Sequence, residues 1–119
     1  MCGRRSEPAY VEDMIQSCER ILMYARGNSD ADLIDADMAY WDAILRQLIV
    51  LGEAAKYIGE TSRVRWCRIP WIEIAGMRDK IVHYYQGIDD ELVLGAIKTS
   101  IPAVLPQLRH MLAELRDEA

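Results

Sequence analysis

The stretch WDAILRQLIVLGEAAKYIG, residues 41–59, decides the fold class of this chain. Its apolar residues recur at steps of three and four, which is the spacing that places side chains on one face of an α-helix. That face consists of Trp41, Ile44, Leu45, Leu48, Leu51, Gly52, Ala55 and Ile58. No stretch of the chain alternates apolar and polar residues as a half-buried strand does. We therefore predict a long helix from about Asp37 to Gly59 and an all-α protein.

Gly52 lies inside this predicted helix, where glycine costs about 1 kcal/mol relative to alanine. Its neighbours Ala54 and Ala55 are also small. Small residues on one helix face allow the backbone of another helix to approach closely. We therefore expect a second helix to pack over Gly52.

The first part of the chain predicts another helix, from about Pro8 to Arg26. Proline suits the first turn of a helix, and Gly27 stands just past the predicted end. After a short turn, Asp30 could cap one further turn of helix through Ile34.

The last helical region is predicted to begin at Asp89 or Asp90 and to continue to Leu115. Pro102 and Pro106 lie inside it. Each proline removes a backbone donor and clashes with the preceding turn. We therefore expect a kink or a break near Ser100.

A third long helix is predicted from Pro70 through Tyr84 or Tyr85, ending near Gly87. Residues 61–69 are expected to be an irregular, basic connection before it. The four main helices, which could be five pieces, predict an antiparallel four- to five-helix bundle. Residues 1–119 fit a single domain, in which residues 1–7 are expected to be flexible.

The composition, with 51% hydrophobic and 28% charged residues, is typical of a soluble globular protein. No apolar run approaches the roughly 20 residues that span a bilayer. The start, MCGRRSEP, lacks the apolar middle region of a signal peptide, so a cytoplasmic location is expected. The positions of Cys2, Cys18 and Cys67 match neither a disulfide framework nor a zinc pattern, and Cys18 is predicted to belong to the core.

The formal net charge of −5 at first disfavours a nucleic-acid partner. The charge is uneven, however, because residues 63–83 contain five basic and two acidic residues. This basic segment has two interpretations: an ordinary solvated surface, or a surface that meets an anionic partner.

The candidate chemistry lies in GMRDKIVHYY, residues 76–85, which contains Arg-x4-His-x-Tyr. In helical geometry Arg78 lies near the apolar face of the third helix. A guanidinium there needs a carboxylate, a phosphate or a water-filled crevice. Arg78 is therefore either half of a structural ion pair with another helix or a phosphate-binding group.

His83 lies about 140° around the helix from Arg78. It follows Asp79 by one turn, so the two side chains can be in contact, which would orient the imidazole and favour its protonated form. An ordinary surface pair is the alternative. Arg78 and His83 can meet at one substrate only if the helix unwinds near His83 or if a second copy supplies the facing group.

These residue types suit metal-free cleavage of RNA. The ribose 2′-OH attacks the adjacent phosphorus, histidine moves protons near neutral pH, and arginine stabilises the phosphorane-like oxygens. No metal or cofactor is needed, and DNA would be spared because it lacks the 2′-OH.

The motif resembles the active-site motif of HepT-like toxins in the HEPN superfamily of α-helical ribonucleases. Four flanking segments are similar to that family as well: residues 21–27, 51–56, 69–78 and 87–89. The resemblance implies a HEPN-like bundle in a homodimer, with Arg78 and His83 as the catalytic pair at a shared cleft. It also implies the toxin component of a type VII-like toxin–antitoxin pair, in which an MntA-like nucleotidyltransferase antitoxin adds AMP to Tyr85.

One position departs from the family pattern, in which asparagine often follows the motif arginine. Here it is Asp79, whose charge weakens phosphate attraction, although it could support His83. An alternative function is therefore a non-catalytic helical dimer that serves as partner and AMPylation substrate of a nucleotidyltransferase. A purely structural bundle is the third interpretation.

Several other residues carry weaker expectations. Lys80 and Arg68 are possible RNA contacts. Trp66 is either a stacking platform for a base or an anchor of its loop on the bundle. Tyr84 is expected in the core, and His110 on the surface of the last helix.

Overall fold

The computed structural model describes residues 5–119, and within them it contains helices and no strands. The α-helices are α1 (Glu7–Ala25), α2 (Asp30–Ile34), α3 (Tyr40–Lys56), α4 (Glu60–Arg65), α5 (Trp71–His83), α6 (Asp90–Gly95) and α7 (Ile101–Asp117). Two 3-10 turns, Ala36–Met38 and Tyr85–Gly87, and a π-helical turn, Ala96–Ser100, complete the elements. The predicted all-α bundle is confirmed.

The bundle is organised around α1 and α3. Helix α1 packs against α3 and α7, and α3 packs against α5. The core between them includes fully buried Met14, Ile21, Ile44, Leu108 and Met111, each of which contributes about 1.5–3 kcal/mol by burial. Cys18 is also fully buried, as expected.

Capping at the first two helices differs in detail from the sequence prediction. Ser6 caps α1 by accepting from the Ala9 backbone N–H. Helix α2 is capped by Ser29 and not by Asp30, because Ser29 and Asp32 form a reciprocal capping box. Of residues 1–7, expected to be flexible, residues 1–4 lie outside the described residues, whereas Ser6 and Glu7 form the cap and first residue of α1.

Helix α3 begins three residues later than predicted. Ala39 adopts a left-handed conformation with φ of 62°, which separates the preceding 3-10 turn from the helix. The helix therefore starts at Tyr40 and not at Asp37.

The segment 61–69 was wrongly predicted to be irregular, since it contains most of α4. A contact distant in sequence stabilises this short helix. The Glu7 carboxylate accepts from the Gly59 backbone N–H at 2.8 Å and from the Ser62 hydroxyl at 2.6 Å. Glu7, which belongs to α1, thereby caps the N-terminus of α4.

The expected break near Ser100 takes the form of the π-helical turn. Pro102 has no N–H to donate to the carbonyl of Lys98. The Ile101 N–H instead bonds to the Ala96 carbonyl, five residues back. The helical path thus continues from α6 into α7 with changed geometry.

Candidate active site

Arg78 lies where α5 crosses α3 most closely. A β-carbon built on Gly52 would stand 2.2 Å from the β-carbon of Arg78 and 3.0 Å from the carbonyl oxygen of Ile74. Real side chains do not approach so closely, so the crossing requires glycine at position 52. The sequence predicted a helix packed over Gly52, and that helix is α5. It can lie so close because glycine leaves room for the start of the Arg78 side chain.

Two carboxylates hold the head of Arg78. Its Nη2 donates to Glu53 Oε2 and its Nη1 donates to Asp79 Oδ1, both at 3.1 Å. The Nε is buried and has no acceptor among the described residues. The hydrogen bond to Asp79 raises the pKa of Arg78, and the charge of Glu53 adds to this effect. The side chain as a whole is 24% exposed, so Arg78 is only partly buried at the crossing.

Asp79 binds cations and does not support His83. Lys56 Nζ donates to Asp79 Oδ1 at 2.6 Å, and Arg78 donates to the same oxygen. These hydrogen bonds, that of Lys56 first, lower the pKa of Asp79. The expected contact between Asp79 and His83 is wrong, because two cations contact the carboxylate in place of the imidazole one turn away.

His83 is the last residue of α5 and is exposed. It lies in a shallow depression formed by residues 82–87. The ring of Tyr84 approaches it edge-on, with centroids 6.4 Å apart. The helix stays regular up to His83, so the unwinding that would turn His83 towards Arg78 does not occur. Within one protomer the two side chains leave α5 about 140° apart.

Tyr85 follows the helix end and reaches back to α3. Its hydroxyl donates to Asp42 Oδ1 at 3.3 Å, and 44% of the residue is exposed. Desolvation, with the nearby charge of Asp42, raises the pKa of Tyr85. The prediction that Tyr84 belongs to the core is wrong. This residue is 65% exposed because α5 ends before it and the backbone leaves the helical path.

The structure does not bring Lys80 and Arg68 to Arg78. Lys80 is about 200° around α5 from Arg78 and lines a groove towards Glu91 on α6. Arg68 precedes α5 and lines a separate depression with Trp66 and His110, which contains neither Arg78 nor His83.

Trp66 and His110 lie elsewhere on the bundle. Trp66 packs against the core, and the guanidinium of Arg65 covers its ring at 4.1 Å, which favours the anchoring interpretation. His110 is an exposed residue whose Nε2 is 3.0 Å from Glu114, as expected for a surface position.

Sequence reasoning missed three residues that contact the motif: Asp42, Glu53 and Lys56. Glu53 and Lys56 belong to the segment 51–56, which resembles the family. The similarity of that segment to the family was the one indication that these residues matter for the site. Periodicity alone could not say which side chains on α3 reach α5. Among residues 5–119, no three histidine, cysteine, aspartate or glutamate side chains cluster as metal ligands.

Comparison with known proteins shows the family to which this chain belongs. The sequence model of the family described as "Ribonuclease HepT-like" matches residues 14–111. The chain belongs to the HepT-like ribonuclease family. The match includes Arg78, His83 and Tyr85, and it spans α3 and α5, which build the site. No solved structure gave a significant match.

Proteins similar in sequence to this HepT-like chain have names that are consistent with the family. "Probable ribonuclease HepT" from Thermococcus cleftensis is 34% identical over 85% of this chain and 91% of the relative. "Putative RNase TTE0752" from Caldanaerobacter subterraneus subsp. tengcongensis is 34% identical over 87% and 91%. "Putative RNase MJ0125" from Methanocaldococcus jannaschii is 30% identical over 97% and 98%. None of the helices described for residues 5–119 has the length and apolarity needed to cross a membrane.

Proposed function

We propose that this protein is a metal-independent endoribonuclease with Arg78 and His83 as its catalytic pair. The observation that carries the proposal is the placement of Arg78. Glycine at position 52 lets the stem of Arg78 lie against α3. The side chain stays partly exposed, on the same helix that ends at an exposed imidazole. An arginine restrained in this way loses little freedom when it binds a phosphate.

The reaction is transesterification within the RNA chain. The 2′-oxygen forms a bond to the adjacent phosphorus while the bond from phosphorus to the 5′-oxygen breaks. One proton leaves the 2′-OH and one is taken up by the departing 5′-oxygen, and imidazole can carry either transfer. Arg78 donates to the phosphorane oxygens as charge accumulates on them. The products are a 2′,3′-cyclic phosphate and a 5′-hydroxyl.

A homodimer is part of the proposal, because Arg78 and His83 diverge on one copy of α5. A second copy can supply the missing group across a two-fold axis. Exposed apolar side chains at the surface of α5 support such a contact, since Ile72 is 84% exposed and Val82 is 44% exposed.

The biological role that we propose is a cytoplasmic toxin whose antitoxin is an MntA-like nucleotidyltransferase. Tyr85 is the proposed site of AMP addition, and the 44% exposure of this residue near the end of α5 suits a modification that must be reached from outside. The added phosphate would bring negative charge to the His83 end of the helix and hinder RNA there.

Cleavage of RNA by the purified protein with EDTA present tests this function. Wild type should cleave RNA and leave the matching DNA intact, while Arg78→Ala and His83→Ala should lose at least 100-fold in rate. His110→Ala is the matched control, because it removes an exposed histidine on α7 and should cleave at the wild-type rate. Equal activity in wild type and both site variants would contradict the proposal.

Mixed dimers test the shared site. Arg78→Ala and His83→Ala protomers, unfolded together and refolded, should recover roughly a quarter of wild-type activity, because half of the random dimers are mixed and each retains one intact site. No recovery, with dimers confirmed by light scattering, would show that each protomer supplies both groups or neither.

The second candidate function is the non-catalytic partner of a nucleotidyltransferase. The two carboxylates that neutralise Arg78 favour it, because they compete with a phosphate for the same donors. It predicts that the protein leaves RNA intact and still gains the mass of AMP on Tyr85 when incubated with a nucleotidyltransferase and ATP.

A further inference from the structure

We infer that Lys56 is a positioning residue for Arg78. Lys56 stays bound to the Asp79 carboxylate when an RNA phosphate binds, so that Arg78 can release Asp79 and donate to the phosphate. This inference rests on the proposed ribonuclease function and assigns Lys56 a role in phosphate binding. Three observations lead to it: the sharing of one Asp79 oxygen, the different partners of the two carboxylates, and the balance of charge around Arg78.

The first observation concerns a single oxygen atom. Asp79 Oδ1 accepts from Lys56 Nζ at 2.6 Å and from Arg78 Nη1 at 3.1 Å. The contact with Lys56 is the shorter one, and both partners are charged. A phosphate that takes Nη1 therefore leaves Asp79 with its closer partner, so the carboxylate does not lose all of its counterions.

The second observation is that the two carboxylates bound to Arg78 differ in their number of hydrogen-bond partners. Glu53 accepts from Arg78 Nη2 at 3.1 Å and has no other hydrogen-bond partner among the described residues. If Glu53 released Arg78, its carboxylate would lose that charge partner. Glu53 is therefore suited to keep Nη2, while Nη1 is the donor that can change from Asp79 to an RNA oxygen.

The third observation is the charge of the cluster formed by Glu53, Lys56, Arg78 and Asp79, which is neutral with all four groups ionised. Without Lys56 the cluster would carry one negative charge, and Asp79 would have Arg78 as its remaining cation. Both changes would weaken phosphate binding. Lys56 thus offsets the departure from the family pattern at position 79.

The test measures RNA cleavage and the affinity for a non-cleavable oligonucleotide with a single 2′-deoxy substitution at the cleavage site. Lys56→Ala should raise KM and Kd about fivefold, since a unit charge within about 8 Å changes anion binding by roughly 1 kcal/mol at intermediate dielectric, while kcat changes less than twofold. The double variant Lys56→Ala/Asp79→Asn should restore both constants to within about twofold of wild type.

The rescue separates this role from simpler ones. If Lys56 contacted RNA directly, the salt dependence of Kd would fall by about one phosphate contact in Lys56→Ala, and Asp79→Asn would not restore that salt dependence. If the Lys56–Asp79 pair only stabilised the fold, the variant would unfold more easily without a selective change in KM. Lys98→Ala is the matched control, because it removes an exposed pair between Lys98 and Asp30 that includes no residue of the motif or of the Arg78 cluster.

The outcomes distinguish the inference from the function on which it rests. Active wild type and inactive Arg78→Ala, with Lys56→Ala equal to wild type in KM and Kd, would overturn only the role of Lys56. Failure of rescue by Asp79→Asn would do the same. Wild type that neither cleaves RNA nor binds the oligonucleotide would overturn both the ribonuclease proposal and this inference.

Discussion

The β-carbon of Arg78 occupies the space that a side chain at position 52 would need, so the α3–α5 crossing beside Arg78 requires glycine at position 52. The glycine weakens α3 as an isolated helix and makes the crossing possible. Packing and site geometry therefore depend on the same two residues.

Replacing Gly52 by alanine should destabilise the protein by about 1–3 kcal/mol, because the added methyl group overpacks a helix crossing. Urea unfolding followed by circular dichroism measures this change. Gly95→Ala is the control, since a β-carbon at that helical position meets nothing within 4 Å and should stabilise by about 0.5–1 kcal/mol. An equal effect of the two substitutions would mean that α5 does not lie against Gly52.

Replacing Arg78 by lysine should reduce kcat for RNA cleavage by roughly 100-fold while the protein stays folded. Lysine keeps the charge but lacks the planar fork that bonds Glu53 and Asp79 at the same time. Rate measurements on a defined oligonucleotide, with circular dichroism spectra as the folding control, check this. Wild-type kcat in Arg78→Lys would show that only the charge at this position matters.

The lowered pKa of Asp79 makes its contribution to stability dependent on pH. A carboxyl whose pKa is lower in the folded state stabilises above its unfolded pKa, near 3.9, and that contribution disappears as pH falls through the lowered value. Wild type should thus exceed Asp79→Asn in unfolding free energy at pH 6, and the difference should shrink below about pH 4.

Denaturant titrations between pH 3 and pH 7 measure this difference. Asp117→Asn is a control, because no ion pair of Asp117 is seen among the described residues. A difference between wild type and Asp79→Asn that stayed constant down to pH 3 would contradict an ionic origin.

Replacing Tyr85 by phenylalanine should abolish AMP addition and leave RNA cleavage within about twofold of wild type. The substitution removes only a 3.3 Å hydrogen bond to Asp42 from an exposed residue, and such bonds contribute about 0.5–1.5 kcal/mol. Intact-protein mass spectrometry after incubation with a nucleotidyltransferase and ATP is the measurement. Tyr84→Phe, which alters the neighbouring exposed tyrosine, should still be modified; loss of the adduct there would assign the site to Tyr84.

The amino-acid sequence by itself determined the helical class, the order of the long helices and the motif on α5. Apolar residues at three- and four-residue steps can bury a common face only as helices, and the positions of Pro102 and Pro106 were enough to indicate an altered turn near Ser100. Glycine at position 52 likewise indicated a close helix neighbour from sequence alone.

The tertiary structure decided which charges meet. Periodicity indicates on which face a residue lies, but the rotation and offset between α3 and α5 determine that Lys56 reaches Asp79 and that Glu53 reaches Arg78. For this reason the predicted contact between Asp79 and His83, based on their spacing along one helix, is wrong. A carboxylate binds the cations that packing brings closest, and those cations come partly from a helix more than twenty residues earlier in the chain.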